Sequence, residues 1–138
     1  MAEANAVDTN VLVAAHVVDH EHHALSKDVA ADATHVLGQV AVECWSVLRR
    51  HFRLPADSVA TMLNSYLEAR SLVAPPDTAY RQVLRTGRAL GLAGNIHDAV
   101  IVRTAERSNL RLTTLDAGLH RLADGVVDCD LLTTDVDP

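Results

Sequence analysis

The chain has 138 residues, 49% of them hydrophobic, with mean hydropathy +0.09, which fits one globular domain over residues 1–138 and excludes a disordered tail. No apolar run approaches the roughly 18–20 residues of a membrane span, and Met1–Asn5 has neither the basic nor the apolar part of a signal peptide, so a cytoplasmic protein without a membrane partner is expected. The net charge of −6 argues against a general polyanion binder, although bound metal would offset part of it where a phosphate must sit.

Ala4-Asn5-Ala6-Val7 reads as a short apolar strand ended by Asp8, and a helix-like stretch follows over Val11–Ala15. The next helix begins near His22 or His23 and runs through Ala33, before a short strand Thr34–Leu37. Gln39–Phe52 is helical. Pro55 suits the first turn of another helix, which extends to about Ala69 and precedes the strand Ser71–Ala74. Pro75-Pro76 is a break and Asp77–Leu90 is helical; Gly91 and Gly94 punctuate, and Asn95 caps a helix through Ser108. Arg111–Leu115 is a strand, Ala117–Leu122 a short helix and Asp128–Leu132 the last strand. Strands alternating with helices predict an α/β fold of right-handed β-α-β units, with a mostly parallel central sheet flanked by helices.

Four acids stand out in that frame. Asp8 ends the first strand and Asp116 lies just past the strand Arg111–Leu115, so a parallel sheet brings both to its carboxyl edge, where ligands bind in such folds. Glu43 flanks the stripe Val40, Cys44, Val47 and Leu48, and Asp98 starts the apolar face of Ile101, Val102 and Ala105. Clustered carboxylates repel one another unless something positive sits between them, and hard divalent cations are the usual answer. Each acid also has a plain reading. Glu43 can bend out to water, Asp98 suits the first turn of a helix, and Asp8 and Asp116 suit turns or helix caps. Four independent plain readings would all have to hold at once.

Other features point to less. His16 and His20 have zinc-compatible spacing, but His20–His23 read better as solvated residues leading into a helix. Arg49, Arg50, His51 and Arg53 form one basic patch, and Arg81, Arg85 and Arg88 another at helical spacing; both read as solvated helix faces. Cys44 and Cys129 form no C-x-x-C pair and are expected to be reduced, buried thiols. One Phe, two Tyr and one Trp leave little for base stacking by a passive single-strand binder. There is no Gly-rich phosphate loop and no G-x-S-x-G elbow.

The ordered motifs resemble the PIN-domain family over nearly the whole chain. Ala6-Val7-Asp8-Thr9-Asn10-Val11-Leu12 resembles its opening motif, Val42-Glu43 its helical glutamate, His97-Asp98-Ala99-Val100-Ile101-Val102 its third acid and Leu112-Thr113-Thr114-Leu115-Asp116 its "T-x-D" strand end. His22-His23-Ala24 also resembles the helix start of many PIN-domain toxins, and the best likeness is to the VapC group of ribonuclease toxins. Leu119 departs from the family, which often has Phe there.

That resemblance implies a Mg²⁺- or Mn²⁺-dependent endoribonuclease. Asp8 and Asp98 would be the primary metal ligands, with Glu43 and Asp116 completing the site directly or through water. Thr9, Asn10 and Thr114 would support the carboxylates by hydrogen bonds. It also implies a cognate antitoxin, an RNA substrate and a homodimer. Two alternatives stand beside it. One is a PIN domain serving in RNA maturation or as an inactive scaffold. The other is a non-catalytic receiver-like module, which would need a late strand-end lysine, whereas the only lysine is Lys27.

Overall fold

The computed structural model describes residues 3–92 and 94–133. In chain order the elements are β1 (Asn5–Val7), α1 (Thr9–His16), α2 (His23–Asp32), β2 (His35–Leu37), α3 (Gly38–Arg50), α4 (Ala56–Glu68), β3 (Ser71–Val73), α5 (Asp77–Leu90), α6 (Ile96–Arg107), β4 (Arg111–Thr114), α7 (Ala117–Ala123) and β5 (Cys129–Leu131). This is the expected α/β alternation, and among the described residues every strand pairing is parallel.

The central sheet divides where the sequence suggested one continuous layer. β1, β4 and β5 form a three-stranded sheet in the order β1-β4-β5, and β2 pairs with β3 in a smaller one. The reason lies in the strands' length, three or four residues each, which leaves little ladder to share. Thr34 couples the two sheets instead. Its amide donates to the Asn5 carbonyl (3.1 Å) and to Asn5 Oδ1 (3.0 Å), and its hydroxyl accepts from the Asn5 amide (2.9 Å). On its other side, the Ser71 amide donates to the Thr34 carbonyl (3.2 Å).

The middle of helix α1 is apolar around its circumference, with the consecutive residues Val11, Leu12, Val13 and Ala14 all buried, as befits a helix enclosed by other elements. It packs against α2, α3 and β4. From α3, Val40, Cys44 and Leu48 enter the same core at i, i+4 and i+8; from α4, Val59, Leu63 and Tyr66 do so. A second, smaller apolar cluster joins Val83 of α5 to Ala99 and Val100 of α6. Gly91 closes α5 in the left-handed conformation (φ 62°), and Leu92 donates back to Gly87 at 2.9 Å, the geometry for which glycine is best suited.

Helix ends depart from the sequence expectation by a residue or two. Capping by Asp8 starts α1 at Thr9, two residues before Val11. The helix α3 stops at Arg50 and not at Phe52. Arg53 adopts φ 54° and Leu54 donates to the Leu48 carbonyl (3.0 Å), so the chain turns back and leaves His51 and Phe52 beyond the helix end. Cys44 is fully buried and its thiol is pushed up to about 12 by desolvation. Cys129 on the edge strand β5 is only half-buried, contrary to expectation; both cysteines are free.

Candidate functional site

Parallel pairing places the ends of β1 and β4 side by side, with Val7 opposite Thr113 and the Asp8 amide donating to the Thr113 carbonyl (2.8 Å). Both strands then hand over to helices, and the N-cap of each helix is an aspartate, directly after β1 and one residue further on after β4. Asp8 caps α1 by accepting from the Thr9 amide (2.7 Å), and Asp116 caps α7 by accepting from the Gly118 amide (2.8 Å). The capping reading and the clustered-acid reading of these two residues are therefore not rivals. A cap uses one carboxylate oxygen, fixes the side chain's rotamer and leaves acceptor capacity on the group.

Asp8, Glu43, Asp98 and Asp116 all line one cavity of about 350 Å³. Asp8 is its floor, at 5% exposure; Asp116 is exposed, and Glu43 and Asp98 lie between these extremes. Thr9 and Asn10 also line it, together with Val13, His20, Val47, His51 and Phe52. Thr114 lies buried next to it, where its hydroxyl donates to Asp8 Oδ2 (2.8 Å) and accepts from the Asp116 amide (3.0 Å). Thr9 Oγ1 donates to Glu43 Oε2 (2.7 Å), tying α1 to α3. Asn10 Oδ1 accepts from the Leu115 amide (3.3 Å), so it steadies the turn that presents Asp116.

The electrostatics report crowding. Asp98 has its pKa raised to about 6, first by desolvation and then by the charges of Asp8, Asp116 and Glu43, with His97 acting in the opposite direction. Asp8 is also raised, mainly by burial, against the lowering effect of its bonds from Thr114 and Thr9. Among the described residues no group of three or more His, Cys, Asp or Glu side chains is closed up as a metal-binding cluster. The donor set nevertheless suits a hard divalent cation. All four groups offer charged oxygen, they share one open cavity, and their mutual repulsion is what a cation relieves.

A residue the sequence reading missed is Gln39. Its Nε2 lies 3.3 Å from Glu43 Oε1, 3.3 Å from the His97 carbonyl oxygen and 3.3 Å from His97 Nδ1. Glu43 thus has one oxygen held by Thr9 and the other by Gln39, and the same amide reaches the first turn of α6, which carries Asp98. The i, i+4 spacing of Gln39 and Glu43 was the available signal; the link to His97 was invisible without the fold. Gln39→Leu should weaken Mn²⁺ binding by about tenfold, the scale for groups that orient a ligand, with little change in the metal-free melting temperature. Calorimetric titration checks this, and unchanged Mn²⁺ affinity would remove Gln39 from the site.

The histidine-zinc alternative finds no support. His16 Nδ1 is bonded to the Leu12 carbonyl (2.8 Å) and its ring packs edge-on against Tyr66 (centroids 5.7 Å), whereas His20 faces the acid cavity.

Residues 6–125 match the family described as PIN domain. This chain belongs to the PIN-domain family. With it comes a nuclease fold whose members generally use divalent metal ions. No functionally curated protein matches the sequence. Among solved structures, PAE2754 from Pyrobaculum aerophilum is 24% identical, with TM-score 0.62 and 93% of this chain and 92% of that one covered. VapBC2 from Rickettsia felis, bound to a DNA fragment from its promoter, has TM-score 0.70 at 15% identity, covering 94% and 99%. VapC20 of Mycobacterium tuberculosis, described as a sarcin–ricin loop cleaving toxin, has TM-score 0.68 at 15% identity, covering 91% and 98%. At these identities the likeness to the PIN domain here is one of fold. Leu119, where the family often has Phe, is fully buried in the core, so the departure is absorbed by packing. Among the described residues no helix is long and apolar enough to cross a membrane.

Proposed function

We propose that this PIN domain is a divalent-metal-dependent endoribonuclease of the VapC type, hydrolysing phosphodiester bonds in RNA. The observation that carries the reading is the gathering of Asp8, Glu43, Asp98 and Asp116 around one cavity at the carboxyl edge of β1 and β4, with the Asp98 pKa raised first by burial and then by the charges of the other three. Asp8 and Asp98 are the primary ligands for Mg²⁺ or Mn²⁺, and Asp116 and Glu43 complete the set directly or through water. Bound there, the ion supplies Lewis acidity toward phosphoryl oxygen and positive charge in a negative cavity. The side chains supply position. Thr114 and the Thr9 amide hold both oxygens of Asp8, the α7 cap holds Asp116, and Thr9 and Gln39 hold Glu43. Glu43 or Asp116 then orients the attacking water in line with phosphorus and accepts its proton.

The likeness to VapBC2 supports a cognate antitoxin as the natural partner. The protein works in the cytoplasm as a homodimer that the antitoxin holds inactive by covering the acidic cavity. Purified protein should cut total RNA with Mg²⁺ or Mn²⁺ and stop when EDTA is added. Cleavage indifferent to EDTA would overturn the metal assignment, and absence of cleavage under all three conditions the nuclease reading.

In bacteria, expression without an antitoxin should arrest growth, and Asp98→Ala should restore it. Growth is followed by optical density alongside a check of soluble protein. Normal growth with confirmed soluble wild type would favour a PIN nuclease of RNA maturation over a toxin.

A further inference from the structure

The nuclease reading leaves the histidine run at the start of α2 without a task, yet one of its members lines the acid cavity. His20, Phe52 and His51 form a row of rings on that cavity, with centroids 6.1 Å apart between His20 and Phe52 and 4.8 Å between His51 and Phe52. His20 is also the oriented ring of the three. The backbone amide of His22 donates to His20 Nδ1 at 3.0 Å, and the His22 ring packs beside it at 5.6 Å. An amide N–H can only donate, so Nδ1 carries a lone pair and the ring proton resides on Nε2. This same tautomer opposes metal binding through Nε2, which would need the lone pair there.

The cavity needs such a donor. Carboxylates accept hydrogen bonds, and so do all the oxygens of a phosphodiester; a cation meets some of those oxygens and leaves others to the protein. Thr9 spends its hydroxyl hydrogen on Glu43, which leaves the Asn10 amide and the His20 and His51 rings as side-chain N–H donors along the cavity, and of these rings His20 is the one whose Nδ1 is held by a backbone amide. His20 is half-buried, held in one orientation by its own loop, and able to offer the cavity a single N–H. We propose, on the nuclease reading above, that His20 is a substrate-binding residue whose neutral Nε2–H donates to a phosphodiester oxygen of the RNA strand lying in the carboxylate cavity. His20 thereby adds an oriented hydrogen-bond donor to a cavity lined largely by acids, and does so without adding a charge that would compete with the metal.

The test uses the full chain, a labelled single-stranded RNA oligomer and saturating Mn²⁺, with His20→Leu (similar bulk, no donor) and His20→Gln (an amide N–H in place of the ring N–H). His20→Leu should raise KM about tenfold with kcat within about twofold, the pattern of a lost ground-state hydrogen bond to a charged group. His20→Gln should recover most of the loss, and both melting temperatures should match wild type. An unchanged KM in His20→Leu, or His20→Gln no better than His20→Leu, would overturn the assignment, because a merely structural role predicts lower melting temperature and kcat in both. Should His20→Leu fail to fold, the ring resonances of His20 in Asp8→Asn protein decide: adding the RNA oligomer should shift the Nε2–H signal, and an unmoved signal refutes the contact. Failure of the wild type itself to cut RNA would be seen before any His20 variant is compared, and counts against the nuclease reading.

Discussion

Asp8→Asn should abolish RNA cleavage while leaving the chain folded. Asp8 is the floor of the cavity at 5% exposure, with one oxygen on the Thr9 amide and the other on the Thr114 hydroxyl. Asparagine keeps the volume and remains a good helix N-cap, so α1 still starts at Thr9. It removes the charge that a hard cation needs. Groups one shell further out typically change metal affinity or activity by about 10–100-fold, so loss of a direct ligand should exceed a hundredfold. Because burial raises the Asp8 pKa and nearby Glu43 and Asp116 add to it, the metal-free variant should be at least as stable as wild type. A gel assay against total RNA, paired with a thermal melt, reads both outcomes. A folded Asp8→Asn protein cutting at the wild-type rate would remove Asp8 from the catalytic set.

The second large effect is on stability. Millimolar Mg²⁺ or Mn²⁺ should raise the melting temperature, because binding to the native state alone contributes RT ln(1 + [L]/Kd), about 2.7 kcal/mol at a hundredfold excess over Kd. The increase should shrink in Asp8→Asn and in Asp98→Asn. An increase that survives loss of both aspartates would mean that the carboxylates serve as helix caps and turn residues only.

The same crowding sets a pH dependence of stability. Asp98 has a folded-state pKa of about 6 against an ordinary value of 3.8, so between these values the folded chain holds a proton that the unfolded chain releases. Metal-free stability from this group should therefore rise as pH falls from about 7 toward 4 and be lost as pH rises through about 6, and Asp8, also raised, contributes in the same direction. Saturating cation should flatten that dependence, since it favours the charged carboxylates. A melt series at several pH values, with EDTA and with Mn²⁺, checks this; metal-free stability that falls steadily from pH 7 to 5 would contradict the crowded site.

What the sequence determined by itself was local and periodic. The alternation of short apolar runs with helical stripes named the fold class, because strand and helix periods are written in neighbouring residues. The acids were legible for a related reason. Asp8 and Asp116 stand where a strand yields to a helix, and parallel pairing, once inferred, sends all such ends to one edge. Glu43 and Asp98 each sit beside an apolar stripe, which signals a charge near a buried face.

Only the tertiary structure could decide which groups meet. Thr34 coupling two small sheets, Thr9 reaching Glu43 across 34 residues of chain and Thr114 reaching Asp8 across 106 depend on packing and have no local signature. Gln39 needed the start of α6 brought near the start of α3 before His97 came within its reach. His20 looked like a solvated residue in a histidine-rich loop; the turn at Arg53 brought Phe52 to its side and made both of them walls of the acid cavity. Periodicity fixes which face of an element is buried. Which polar groups touch across that buried face is set by how the elements stack, and for this protein the stacking decides how the four acids are held and what faces them.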